Sequence, residues 1–384
     1  MKILFLNYEY PPLGGGAANA TAYLLDEFSR MSGVEVNLIT SSIDSQYHRE
    51  CIGEHIVIHR LPIGKNAKSL HFQSVKDLFV YTWKSYRFAK ALLKKEKIDV
   101  AQAFFTVPCG LVAWKLHREF RVPYVVSLRG SDVPGYSDRF DFLYPFIRPI
   151  ARAIWRGAAA VVSNSQGLKD LAHKTSLQQE IGIIHNGVDT EHFFPKQKAS
   201  LEDLNTLHLT LGASRLTDRK GIRYLIEAIH LLKEEYTFML KVIGEGNAKA
   251  RLEQLVSEYG LESQVTFVGR IPREETLRYY QEADMFVLPS LNEGMSNAML
   301  EALSCGLPII TTRTGGAEEL VQEGENGLLI RKRDAKDVAR ALRMLAQDVA
   351  LRERMGEKSR ALAESMSWKN IAQQYAEVYK KTTA

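Results

Sequence analysis

The sequence predicts an α/β protein built from two doubly wound domains that face each other across a cleft. A chain of 384 residues is longer than one ordinary core of roughly 100–200 residues, so two domains are expected. Short aliphatic runs alternate with amphipathic stretches along nearly the whole chain, the signature of βα units around a parallel sheet. The alternation is interrupted by polar and turn residues from Phe194 to Asn205 (FPKQKASLEDLN) and then starts again.

In the first series the expected strands are KILFLN from Lys2, VEVNLIT from Val34, HIVIHR from His55, IDVAQAF from Ile98, PYVVSL from Pro123, AAVVSN from Ala159 and IGIIHN from Ile181. Each is rich in aliphatic residues and ends at turn residues, as strands covered on both faces do. Helical periodicity appears between them, as in Ala17 to Met31 and Val75 to Glu96. The second series opens with LHLTLGAS at Leu207 and continues through strands at Phe238, Val265, Met285, Pro308 and Gly327, each followed by a helical pattern. The expected domains are therefore 1–195 and 206–366, with a hinge in the interruption. Residues 367–384 place Ile371, Tyr375, Val378 and Tyr379 on one helical face, which either docks on its own domain or crosses back to the first.

Composition narrows the class. With 45% hydrophobic and 25% charged residues and no biased tract, the chain is globular, not disordered. Three cysteines, Cys51, Cys109 and Cys305, lack CxxC spacing, so no disulfide framework or zinc site is expected and a reducing cytoplasm fits. The start MKILFLNYEYPP has too short an apolar run for a signal peptide or a membrane span, so a cytoplasmic location is expected. The net charge is +5, yet Lys65 to Lys97 alone holds nine Lys or Arg against Asp77 and Glu96, or 9 − 2 = +7. Phe72, Phe79, Tyr81, Trp83, Tyr86 and Phe88 interleave that charge, and Arg139 to Arg156 (RFDFLYPFIRPIARAIWR) is a second stretch of the kind. Two readings stay open: helices packing aromatics on the sheet, or a surface for the anionic inner face of a membrane. No nucleic-acid partner is expected.

Three segments carry chemistry. After the first strand, PPLGGGAANATAYLLDEF puts Gly14, Gly15 and Gly16 before a helix, where the backbone can approach a ligand and helix N–H groups can meet an anion. It is not GxGxxG, and Asp44, beyond the second expected strand, lies in a polar loop, which disfavours a nicotinamide cofactor and a dehydrogenase. Second, GASRLTDRKGIRYLIEAI brings Arg215 at a strand end together with Lys220 and Gly221 at a helix start, two cations suited to a diphosphate. KVIGEGNAKARLEQL repeats strand, Gly-x-Gly and helix at Gly244 and Gly246 in a supporting role. Third, LPSLNEGMSNAMLEALSCGLPIITTRTGGAEEL places Glu301 eight positions after Glu293, with Gly294, Met295 and Ser296 offering N–H groups at a helix start. Were that span wholly helical, its ends would lie about 12 Å apart at ~1.5 Å per residue. That exceeds the ~5–9.5 Å of a hydrolytic carboxylate pair, so the two acids are expected to grip different parts of one long ligand.

These segments, with HNGVD at His185, VTFVGRIP at Val265, TGG at Thr314, ENGLL at Glu325 and the Trp368 helix, give the chain a resemblance to family 4 of the glycosyltransferases. The resemblance implies the GT-B fold and a retaining transfer of a hexose-type sugar from a nucleoside diphosphate donor to a glycan or lipid-linked acceptor, with no metal or other cofactor. It implies that Arg215 and Lys220 bind the diphosphate and that Glu301 holds the ribose hydroxyls. Glu293 with the backbone at Gly294, Met295 and Ser296 would hold the sugar and neighbouring phosphate. The base would sit against Arg270 and Ile271, and Gly15 and Gly16 beside the donor phosphates. Many members carry a histidine where this chain has Arg129, followed by Gly130, Ser131 and Asp132. A guanidinium stays charged, so Arg129 is expected to bind and polarise, not to shuttle protons. For Asp132 two roles stay open, a related polar part in catalysis or a helix cap. The departure at Arg129 also motivates a rival reading, a catalytically silent sugar-nucleotide-binding protein.

Overall fold

Ile3, Leu4, Phe5 and Leu6 are completely buried in the first strand, β1 (Lys2–Leu6), as both-face coverage demands of a central parallel strand. The computed structural model describes residues 1–64, 73–136, 144–196, 206–272, 275–293 and 295–383. These form two units, 1–186 with 368–384 and 187–367. Of the basic stretches, 65–72 and 137–143 lie outside the described residues, as do Gly294 and most of the polar interruption, 197–205.

The first unit holds an eight-stranded sheet in the order β3-β4-β2-β1-β5-β6-β7-β8. Besides β1 its strands are β2 (Glu35–Ser41), β3 (His48–Ile52), β4 (Ile56–Leu61), β5 (Val100–Phe104), β6 (Tyr124–Leu128), β7 (Ala160–Ser163) and β8 (Gly182–Ile183). All pairings are parallel except β3 with β4. The edge strand β3, sequence HRECI, is mostly exposed, so it lacks the apolar run by which its neighbours are recognised. Helices α1 (Gly16–Ser29), α2 (Val75–Leu93), α3 (Leu111–Phe120), α4 (Tyr144–Gly157) and α5 (Gln166–His173) connect the strands.

The second unit is a six-stranded parallel sheet, β11-β10-β9-β12-β13-β14. Its strands are β9 (Thr206–Arg215), β10 (Thr237–Glu245), β11 (Val265–Gly269), β12 (Met285–Leu288), β13 (Ile309–Thr312) and β14 (Gly327–Ile330). The helices are α6 (Ile222–Leu232), α7 (Lys249–Glu258), α8 (Thr276–Gln281), α9 (Asn297–Ser304), α10 (Ala317–Leu320), α11 (Ala335–Gln347) and α12 (Val349–Ser365). In each sheet the strand order reverses beside the first strand: between β1 and β5, and between β9 and β12. Such a point leaves a crevice at the carboxyl ends of the strands, where open α/β sheets hold ligands.

The boundary differs from the one expected at 195. Residues 187–195 belong to the second unit because Val188 and Phe193 are buried in its core. Arg360 donates from Nη1 to the carbonyls of Phe193 and Ser304, each at 2.9 Å. Burying Phe193 contributes about 1.5–3 kcal/mol to that attachment. The C-terminal helix α13 (Trp368–Thr383) belongs to the first unit. Ile371, Tyr375 and Tyr379 enter that unit's core, and Trp368 stacks on Tyr23 of α1 with ring centroids 5.3 Å apart.

Candidate active site

In the second unit the site is assembled by the two loops that leave β9 and β12. Arg215 is the last residue of β9, and a short 3-10 turn, Asp218–Lys220, follows before α6. The loop after β12 carries Ser290 and Glu293 and ends at Ser296, whose hydroxyl caps α9 by accepting from Met299 N. The two loops interlock. Leu291 N donates to Arg219 O at 2.7 Å. Gly221 has φ +64°, and a Cβ there would lie 2.0 Å from the carbonyl oxygen of Pro289, so only glycine allows this approach. Gly246 is equally constrained, since its Cβ would sit 2.1 Å from Leu216 O, just beyond Arg215.

That approach sets the electrostatics. Lys220 Nζ donates to Glu293 Oε1, with each side chain 17% exposed. The Ser290 hydroxyl donates to the same Glu293 oxygen at 3.0 Å, while the Ser290 carbonyl accepts from Thr312 Oγ1 of β13. Arg215 is exposed and has no ion pair among the described residues. The site thus holds one neutralised cation and one that is not.

Glu301 lies on α9 and is buried, with Tyr280 of α8 donating its hydroxyl to Glu301 Oε2 at 2.8 Å. Tyr280 is itself fully buried. Glu293 precedes the start of α9 at Asn297, so the span between the two acids is not one helix and its helical length does not apply. Met295 is buried in the second core. Arg270, exposed, and Ile271, half-buried, follow β11, which β10 separates from β9.

In the first unit Gly15 is the N-cap of α1 with no side-chain cap, and Gly16 is the helix's first residue. The space where a Gly15 Cβ would point is open. Arg129 follows β6, half-buried, with its guanidinium carbon 4.9 Å from the centre of the Phe104 ring. Nη1 donates to Asn186 Oδ1 at 2.9 Å and Nη2 to the Tyr375 hydroxyl at 3.0 Å, while the buried Nε has no partner. These partners are neutral, and among the described residues no ion pair compensates the charge in this partly desolvated place. Asp132 is buried and accepts from Thr106 N (2.7 Å), Thr106 Oγ1 (2.9 Å), Arg129 N (3.0 Å) and Gly130 N (3.1 Å). Burial raises its carboxyl above the ordinary range, and the donated hydrogen bonds oppose that shift. Its contacts tie the loop after β5 to the loop after β6. Among the described residues none of these contacts is with α4.

Asn186, Tyr280, Ser290 and Tyr375 were not among the expected site residues. Asn186 lies in HNGVD, a motif quoted without a role, so one signal was present. Tyr280 and Tyr375 read as ordinary aromatic positions of amphipathic helices, and periodicity does not reveal where a hydroxyl points. Among the described residues no three His, Cys, Asp or Glu converge as a metal set.

A family model described as Glycosyltransferase Family 4 matches residues 14–192, and one described as Glycosyl transferases group 1 matches 193–362. The chain belongs to glycosyltransferase family 4. It is 26% identical over 381 residues to the uncharacterized glycosyltransferase MJ1178 of Methanocaldococcus jannaschii, covering 99% of this chain and 98% of that one. It is 27% identical over 270 residues to the lipopolysaccharide core biosynthesis glycosyltransferase LpsE of Rhizobium meliloti, covering 70% and 72%. Among solved structures it resembles sucrose-phosphate synthase from Thermosynechococcus elongatus, with TM-score 0.83, 24% identity and coverage of 99% and 98%. That likeness shows the fold: this family 4 glycosyltransferase has two parallel-sheet α/β domains of the GT-B class.

Proposed function

We propose that this glycosyltransferase moves a hexose-type sugar from a nucleoside diphosphate donor to a glycan or lipid-linked acceptor, with retention and without a metal, in cell-surface polysaccharide or lipopolysaccharide synthesis. The observation that carries the reading is the convergence of Lys220 and Glu293 from loops of adjacent strands at the second unit's switch point, with unpaired Arg215 at the end of β9. Breaking the anomeric C–O bond leaves positive charge on the sugar and negative charge on the departing diphosphate. Arg215 and Lys220 stabilise the latter, a role a divalent cation fills elsewhere. As the donor arrives its phosphate displaces Glu293 from Lys220, freeing that carboxylate for sugar hydroxyls. Glu301, held by Tyr280, accepts from the ribose hydroxyls, and Arg270 and Ile271 seat the base. Retention follows if the acceptor hydroxyl attacks from the departing side and passes its proton to a phosphate oxygen. Gly15, Gly16 and Arg129 are assigned to phosphate and acceptor contacts of the first unit, with Asp132 as the brace that positions Arg129. The relative from Rhizobium meliloti supports an acceptor of the lipopolysaccharide kind.

The test is a thermal-shift screen of nucleoside diphosphates and their sugars, followed by turnover of the stabilising donor with and without EDTA. A bound ligand raises stability by RT ln(1 + [L]/Kd). Absence of any shift, or activity abolished by EDTA and restored by a divalent ion, would overturn the donor site or its metal independence respectively. Donor bound but never hydrolysed to nucleoside diphosphate, with or without acceptors, would favour the silent binding protein.

A further inference from the structure

Two helices of the first unit hold large apolar side chains out in solvent. On α2, Phe79 and Trp83 are 75% and 52% exposed; on α4, Phe146 and Ile150 are 74% and 43% exposed. Both pairs are spaced four apart, so each forms a stripe on its helix. α2 leaves β4 and α4 leaves β6, strands that run in the same direction. Right-handed crossovers put both helices on one face of the sheet, and α3 packs against each of them between the two. Both helices start at the carboxyl ends of the strands, and both stripes fall in the first half of their helix, so they lie on the half of that face nearer those ends.

Charge accompanies the stripes. α2 holds Lys76, Lys84, Arg87 and Lys90 against Asp77, or 4 − 1 = +3, and α4 holds Arg148, Arg152 and Arg156 with no acid, or +3. Asp77 is engaged in the capping box of α2. Arg87 lies over the Trp83 ring, 5.0 Å from its centre, an aromatic and a cation presented together. A second copy of this face would oppose cation to cation, and an ordinary protein surface would leave the cations unmatched. A sheet of lipid phosphates above acyl chains matches both features.

We propose that this face of the first unit docks on an anionic lipid surface, with Phe79, Trp83, Phe146 and Ile150 entering the headgroup region and Arg87 and Arg148 meeting phosphates. The inference deepens the lipid-linked acceptor reading but rests on none of its donor chemistry. Among the described residues no helix is long and apolar enough to cross a membrane.

The test is flotation of the full chain at low salt with vesicles of phosphatidylcholine alone or with a one-third share of phosphatidylglycerol. The chain is expected to float with the anionic vesicles and stay behind with the neutral ones. Phe79→Ser with Trp83→Ser should abolish flotation, and Arg87→Gln and Arg148→Gln should each lower partitioning about fivefold. Unchanged melting temperature and an unchanged thermal shift with nucleoside diphosphate would show that folding and the donor site survive in these variants. Wild-type chain left behind by anionic vesicles, or a double serine variant that floats like wild type, overturns the proposal. So does a wild-type dimer in sedimentation velocity that the serine variant dissolves, which assigns the face to a second copy.

Discussion

The two units hold a cation in a loop that leaves a strand in opposite ways. In the second unit Lys220 is neutralised by Glu293, and the loops that present them are joined by Leu291 N to Arg219 O. In the first, Arg129 is held by the neutral Asn186 and Tyr375, and among the described residues no carboxylate pairs with its guanidinium. A paired lysine can exchange one anion for another without a naked charge in the ligand-free state. A guanidinium on neutral donors and acceptors is set in place beforehand and keeps its field. The contrast supports the proposed reading, in which the second unit accepts a mobile anion and the first aims a fixed positive charge.

Substitutions at these cations and at the residues that hold them test the contrast. The largest effect is expected from Arg215→Ala with Lys220→Ala, which should lower kcat by about 10²–10³ or more, the usual loss when aimed electrostatic groups are removed. Melting should barely change, because Arg215 is exposed and Lys220 gives up one partly exposed ion pair. Undiminished turnover in steady-state kinetics would remove the two residues from the mechanism. Next comes Arg129: alanine should cost about a hundredfold in kcat, and lysine, which keeps the charge but loses the fork, about tenfold. The pH–rate profile should keep its shape in both; loss of a limb would show that Arg129 governs a proton after all.

Asp132→Ala should lower stability by roughly 2–3 kcal/mol in denaturant unfolding, since the N–H groups of Thr106, Arg129 and Gly130 lose their acceptor. A change confined to kcat, with stability intact, would instead make Asp132 a direct participant. The smallest effect is expected from Tyr280→Phe, which removes one hydrogen bond to Glu301, worth about 1 kcal/mol, or roughly fivefold in nucleotide affinity. Calorimetry should find that loss with ribonucleotides and little with 2′,3′-dideoxy analogues. Equal losses with both would separate Tyr280 from ribose recognition.

Much of the fold was legible because parallel strands covered on both faces must be apolar, as Ile3 to Leu6 and Met285 to Leu288 are throughout. The strand that escaped, β3, is an exposed antiparallel edge and carries no such requirement. The boundary also escaped, because a polar tract looks like a hinge while burial of Val188 and Phe193 moves the true division upstream. Within the site, Arg215, Lys220, Glu293 and Glu301 stand out as charged residues in glycine-punctuated motifs. Tyr280 and Tyr375 do not, since each lies on a helix whose apolar face already accounts for it.

Residue order alone therefore determined the alternation of strand and helix, the doubling of the unit and the charged residues at the carboxyl ends of strands, because periodicity and turn chemistry are local. Long-range packing brings Lys220 to Glu293 and Tyr280 to Glu301, and it joins the last helix to the first unit, where Tyr375 meets Arg129. Those partners lie 73, 21 and 246 positions apart. No local rule couples such distant residues; the packing of whole elements does.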